Sequence, residues 1–147
     1  MVIVFFGFVP VGGTYYVQAL TWTPDVTIAS LICGLLIDTL LVVNNYRDHE
    51  ADARSGKRTV IVRFGEKFGR YFYLMLGITA SLLCLCFLRE GHFYAAFLPQ
   101  LYLIPHFLTW KRMVKIYSGK KLNSILGETS RNMLLMGILI AIGMLIN

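Results

Sequence analysis

Charge is what this sequence has least of. Asp, Glu, Lys and Arg make up 15% of its 147 residues, where a soluble domain carries about 25%. The chain has too little polar surface to cover a water-exposed globule. Cysteine is also scarce. The three present, Cys33, Cys84 and Cys86, are odd in number and lie within apolar runs, which excludes a secreted disulfide scaffold. Cys84-x-Cys86 also has the wrong spacing for a zinc site. Apolar and aromatic residues reach 56%, and mean hydropathy is +0.63. Disorder needs the opposite balance. What remains is an all-α integral membrane protein.

The few charges are unevenly placed. Of the 14 Lys and Arg, seven lie between Arg47 and Arg70 and six between Lys111 and Arg131. A net charge of +6 does not point to nucleic acid, because the excess sits in two connectors. Such clustering marks cytoplasmic loops between spans. Five apolar stretches approach the roughly 20 residues that a spanning helix needs: 2–20, 26–43, 71–88, 93–110 and 132–146. They do not alternate as barrel strands do. The expected fold is therefore a multi-span helical bundle in the lipid bilayer, with loops 44–70 and 111–131 and the Met1 side in the cytoplasm. The first span is not a signal peptide, since it has no basic leader and no small-residue cleavage site. Met1 runs straight into it, as in a chain entered partway.

The second span ends in Asn44-Asn45-Tyr46-Arg47-Asp48-His49-Glu50-Ala51-Asp52 and continues to Gly56-Lys57-Arg58-Thr59. If the helix runs past the membrane edge, Asn44, Asp48 and Asp52 recur every four residues, with Asn45 beside them, on one face. Two carboxylates so spaced repel unless a cation lies between them. Mg²⁺ suits the pattern, because it is usually held by one or two carboxylates plus substrate phosphates and water. Arg47, Arg54, Lys57 and Arg58 could meet anionic oxygens beyond the metal's reach. Gly56 would let the chain turn and bring Lys57 back. The same residues also fit a solvated helix end, with Glu50 and Arg54 as an ordinary i,i+4 pair.

Asn44-Asn45-x-Arg47-Asp48-x-x-x-Asp52-x-x-x-Gly56-Lys57-x-Thr59 resembles the second aspartate-rich motif of the UbiA superfamily of intramembrane prenyltransferases. It is most similar to the menaquinone and phylloquinone branch. Gly12-Gly13-Thr14-Tyr15-Tyr16 and Leu122-Asn123-Ser124-Ile125-Leu126-Gly127-Glu128-Thr129-Ser130-Arg131 resemble further segments of that branch, in the same order. The resemblance implies a Mg²⁺-dependent transferase that moves a polyprenyl group from its diphosphate to an aromatic acceptor, 1,4-dihydroxy-2-naphthoate in this branch. It assigns metal binding to Asp48 and Asp52. Catalytic or diphosphate-binding support falls to Lys57, Asn44, Asn45, Arg47 and Arg63. Other UbiA branches with different acceptors, and an ion-binding membrane remnant without chemistry, are the alternatives.

The family has about nine spans and two aspartate-rich motifs, whereas this sequence shows five spans and one motif. The expectation is a C-terminal portion, a fragment or half of a split enzyme, inactive without an N-terminal half. Asp38, two turns before Asn45 and inside a span, either lines the cavity below the metal or is protonated and bonded to a neighbouring helix. His106 is expected to be hydrogen-bonded, with a role on an acceptor hydroxyl as the alternative. His49 is expected to face solvent, and Glu128 to pair with Arg131. Trp22 and Trp110 read as interfacial anchors. Tyr15 and Tyr16 are wall candidates for a prenyl chain.

Overall fold

A computed structural model describes residues 1–117 and 119–146, and among these there is helix but no strand. The chain opens with π-type turns over Val4–Gly13. Pro10 lies inside this stretch, and its ring cannot donate the usual i→i−4 bond. A short helix α1, Thr14–Ala19, follows. The π-type stretch lies along α2, Pro24–Arg54, and α1 packs back on that stretch. The close approach depends on glycine: a Cβ on Gly7 would overlap the Ser30 carbonyl, and one on Gly12 would overlap the Trp22 ring.

Helix α2 begins with strong signals. Thr23 caps it by accepting from the Val26 amide at 3.3 Å, Pro24 occupies the first turn, and Asp25 complements the dipole. Its 31 residues make a rod of about 46 Å, against a hydrocarbon core of about 30 Å. The helix therefore continues unbroken through the aspartate motif. Within the connector 44–70 only residues 55–59 are non-helical. Helix α3, Val60–Leu83, starts at the Thr59 cap. It is broken at Gly65, whose φ of 85° and ψ of 168° suit only glycine. The helix extends as a 3₁₀ stretch, Cys84–Glu90.

The fourth apolar stretch is divided into α4, Phe93–Phe97, a 3₁₀ turn Leu98–Tyr102 entered through Pro99, and α5, Leu103–Ile116. Gln100 makes this break tolerable. Its amide donates to the carbonyls of Ala96 and Ser81, both at 2.9 Å, and its oxygen accepts from Ser81 at 2.7 Å. In hydrocarbon such carbonyls need an internal partner. After the short turn Lys120–Leu122, α6 runs from Asn123 to Ile146. It starts nine residues before the expected last span, so the loop placed at 111–131 is also largely helical. Three helical stretches, Pro24–Arg54, Val60–Glu90 and Lys120–Ile146, are long and apolar enough to cross a membrane. The protein is a helical membrane bundle.

Two core clusters hold it. Toward the motif end, Val43, Tyr46, Ile61, Tyr73, Met113 and Ile125 pack together. Toward the other end, Ile32, Phe87, Ala95, Tyr102 and Met136 do so. His106 is buried between the rings of Tyr73 and Tyr102, at 4.7 and 5.1 Å. The Tyr102 hydroxyl lies 2.9 Å from its Nδ1 and the Leu74 carbonyl 3.3 Å from its Nε2. That arrangement is hydrogen-bonded packing. A further close contact sets α6 on α4: a Cβ on Gly143 would lie 2.5 Å from the Ala95 backbone. Small residues at such crossings let membrane helices approach. Gly143→Val should therefore destabilise the bundle by about 1–3 kcal/mol, read as a lower Tm in detergent; an unchanged Tm would refute this packing.

Candidate functional site

Arg47 organises the motif end of α2. Its Nε donates to Asp48 Oδ1 at 2.7 Å and its Nη2 to Asp48 Oδ2 at 2.6 Å. The same Nη2 reaches Asn44 Oδ1 at 2.7 Å, and Nη1 reaches Asn123 Oδ1 at 2.9 Å. One guanidinium thus ties Asn44 and Asp48 of the motif to the start of α6. The planar fork makes this possible; an ammonium could not match both carboxylate oxygens at once.

Asp52, one turn further, is nearly buried. Its partner arrives by backbone geometry. Ser55 ends α2, Gly56 takes φ 75°, and the Lys57 amide donates to the Asp52 carbonyl at 2.9 Å. With the Gly56 amide on the Ala53 carbonyl at 3.2 Å, this is a Schellman closure. It folds Lys57 back so that Nζ lies 3.3 and 3.4 Å from the two Asp52 oxygens. The cations that separate the carboxylates are therefore Arg47 and Lys57, supplied by the protein.

Asp48 lies past the apolar part of α2, which ends at Val43, and its carboxyl is held below the usual range. The hydrogen bonds from Arg47 are the main cause, and the charges of Arg47 and Lys57 add to them. The Arg47 guanidinium is correspondingly raised by Asp48. Because Asp48 is depressed, the stability it contributes is complete above the unfolded carboxylate value of about 3.9 and is lost as pH falls through the folded one.

Two spaces meet at this cluster. A polar cleft of about 710 Å³ is lined by Arg47, Asp48, Glu50, Arg54, Lys120 and Asn123. An apolar groove of about 490 Å³ runs between the first helix, α2 and α6, lined by Val2, Phe6, Leu41, Asn44, Leu126 and Ser130 among others. Asn44 belongs to the groove and bonds Arg47 of the cleft. Lys120 and Asn123 were not singled out as site residues from sequence. Asn123 lies within the Leu122–Arg131 segment quoted above, but a contact across 76 positions has no periodic signature.

Other expected residues stand elsewhere. Asn45 is half-buried beside the cluster. Arg63 is exposed, lies over the Phe64 ring at 5.4 Å, and has no hydrogen bond or ion pair to the cluster among the described residues. Asp38 is half-buried and lines neither space. Tyr15 lines a different cleft, at the opposite end of α2 near Asp25. His49 does not face solvent: its Nε2 is 3.0 Å from Glu66 Oε1 and its Nδ1 2.7 Å from the Tyr46 carbonyl. The Gly65 break brings Glu66 to that position. Glu128 pairs with Arg112 at 2.8 Å, not with Arg131, and also accepts from Thr109 at 3.2 Å. Glu50 and Arg54 form no ion pair among the described residues. Nor, among those residues, do three or more His, Cys, Asp or Glu side chains converge as a metal site.

The architecture and the motif define a class of helical membrane protein with a charged site at one end of the bundle. The UbiA prenyltransferase family model matches residues 1–145, and the chain belongs to that family. It is 35% identical to the 1,4-dihydroxy-2-naphthoate octaprenyltransferase of Haemophilus influenzae over 99% of its own length and 47% of that protein's. It is 42% identical to the enzyme of the same name from Escherichia coli over 57% of this chain and 27% of that protein. The chain thus spans about half the length of the Haemophilus relative. No solved structure matches.

The electrostatics can be checked directly. In an NMR titration in micelles, Asp48 should lose its proton below the usual carboxylate range, and Arg47→Gln should move that transition upward. An Asp48 titration that Arg47→Gln leaves in place would show that the pairing is not what depresses it.

Proposed function

We propose that this chain forms the diphosphate-binding part of a membrane prenyltransferase. The enzyme would transfer a polyprenyl group from its diphosphate to 1,4-dihydroxy-2-naphthoate, in menaquinone or phylloquinone biosynthesis. The observation that carries the reading is the junction at Asn44. An apolar groove beside a cationic cleft suits a ligand with a hydrocarbon tail and a charged head. The names of the relatives supply the reaction and acceptor. Their greater length supports a further portion of the enzyme, and the resemblance to the second aspartate motif would make that portion the N-terminal half with the other motif. By the positive-inside rule the motif end would face the cytoplasm, in a bacterium across the plasma membrane.

The donor set fits Mg²⁺. Asp48 and Asp52 offer hard oxygens, and Arg47 and Lys57 occupy only part of the lone-pair capacity of each carboxylate. A pair of carboxylates, short of a complete protein cage, is what an ion completed by phosphate oxygens and water needs. When bound, the ion would neutralise charge on the departing diphosphate as a Lewis acid. Asp48 and Asp52 would hold it.

The remaining residues have electrostatic and positioning roles. Lys57 and Arg47 would turn from the carboxylates toward diphosphate oxygens, and Asn44, Asn45 and Asn123 would keep the head in register above the groove. The allylic C–O bond breaks with its electron pair leaving on the diphosphate. The naphthoate ring carbon supplies the pair for the new C–C bond. Carbon dioxide leaves from that carbon and restores the aromatic ring. The apolar wall keeps water from the carbocation. Arg63 and Asp38 would act once the other half is in place.

The test is binding of a prenyl diphosphate with and without Mg²⁺, to the chain alone and co-expressed with an N-terminal half. Asp48→Asn and Asp52→Asn should each weaken Mg²⁺-dependent binding about tenfold or more, and Asn123→Ala by about two- to tenfold. Mg²⁺ binding with no affinity for the diphosphate in either form would favour an ion-binding remnant. Binding followed by transfer to a different aromatic ring would move the protein to another branch of the family.

A further inference from the structure

The faces of α3 and α5 away from the core carry a second apolar groove, of about 440 Å³. Leu74 and Ile78 form one wall, and Leu103, Ile104, Phe107 and Leu108 the other. No residue of α2 or α6 lines it, so it is separate from the Asp48 cluster. Its depth follows from the packing. The two helices meet through the His106 ring on Gly77, where a Cβ would overlap the imidazole. That leaves Ile104, Phe107 and Leu108 exposed on the outer side.

The end of this groove nearest the motif is basic. Lys111 lies one turn beyond Phe107 on α5, and its Nζ is held 4.7 Å above the Phe107 ring. On α3 the strip through Ile78 and Leu74 continues to Tyr71, which is exposed, and then to Lys67. An exposed hydrocarbon slot with an ammonium over a ring at its mouth matches one kind of ligand. We propose that this groove binds an anionic phospholipid of the leaflet at the basic end, one acyl chain between α3 and α5 and the phosphate against Lys111. The proposal is independent of the catalytic reading. Charge complementarity selects the occupant: a zwitterionic lipid fills the slot equally well, but the choline cation beside its phosphate offsets the attraction to Lys111, whereas one basic residue near the surface favours a net anionic lipid by about fivefold.

The experiment is native mass spectrometry of the delipidated full chain in detergent. Phosphatidylglycerol and phosphatidylcholine with identical acyl chains are supplied in equal amounts, with glycerol 3-phosphate as a separate competitor. The expected result is about fivefold preferential retention of phosphatidylglycerol. Lys111→Gln should abolish the preference, and Lys111→Arg should keep it, which separates loss of charge from loss of fold. Ile104→Trp, filling the slot at an exposed position, should reduce retention of both lipids. The proposal is overturned by equal retention of the two lipids in the unsubstituted chain, or by a preference that survives Lys111→Gln. Displacement of the lipid by glycerol 3-phosphate, which would mark a free-phosphate site, also overturns it. So does a lipid-free dimer, which would mean that a second copy covers the groove.

Discussion

The bidentate pairing of Arg47 with Asp48 is the interaction on which the motif end depends. A helix leaving the bilayer with carboxylates at four-residue spacing repels itself along its own face. Arg47 removes that repulsion locally and uses another of its donors on Asn123, 76 positions away. The start of α6 is thereby attached to the motif. The polar cleft exists because these two elements are joined there, and the apolar groove lies between the same two helices. Separate the guanidinium from Asn123, and the polar cleft loses the tie between its walls.

The rest of the bundle holds α2 still enough for this to matter. Gln100 donates to the Ala96 carbonyl beside the break at Leu98–Tyr102 and ties that break to the Ser81 carbonyl of α3. Asn132 donates to Thr109, which donates in turn to Glu128, which also accepts from Arg112. Tyr73 and Thr129 share a further hydrogen bond at 3.1 Å. These polar links connect helices in a medium where apolar contact alone does not drive helices together.

Much of this was legible in the sequence. Apolar runs and clustered basic residues identify a helical membrane bundle, because bilayer thickness and backbone hydrogen bonding leave few alternatives. The i,i+4 spacing of Asn44, Asp48 and Asp52 places them on one helix face, and Gly56 foretells the reversal at Lys57. Boundaries were less legible. Polarity marks where hydrocarbon ends, but helix does not stop there, so α2 and α6 exceed their apolar stretches. Tertiary partners were least legible. Glu128 could reach Arg131 on its own helix and is taken by Arg112 of α5, while His49 meets Glu66 only because the backbone turns at Gly65. Likewise, nothing in local spacing tells that Arg63 lies over Phe64 or that Asn123 reaches Arg47.

The closure at Gly56 has a consequence of another kind. The Lys57 amide completes the last turn of α2 by bonding the Asp52 carbonyl, and the Lys57 ammonium neutralises the Asp52 carboxylate. One residue therefore terminates the helix and sets the charge of its end. Fraying of that turn would carry Lys57 away from the carboxylate, so the electrostatic state of the site is coupled to the last turn of the backbone. The five-residue interval from Asp52 to Lys57 is consequently intolerant of insertion or deletion, although it lies at an exposed chain reversal where length variation is ordinarily harmless.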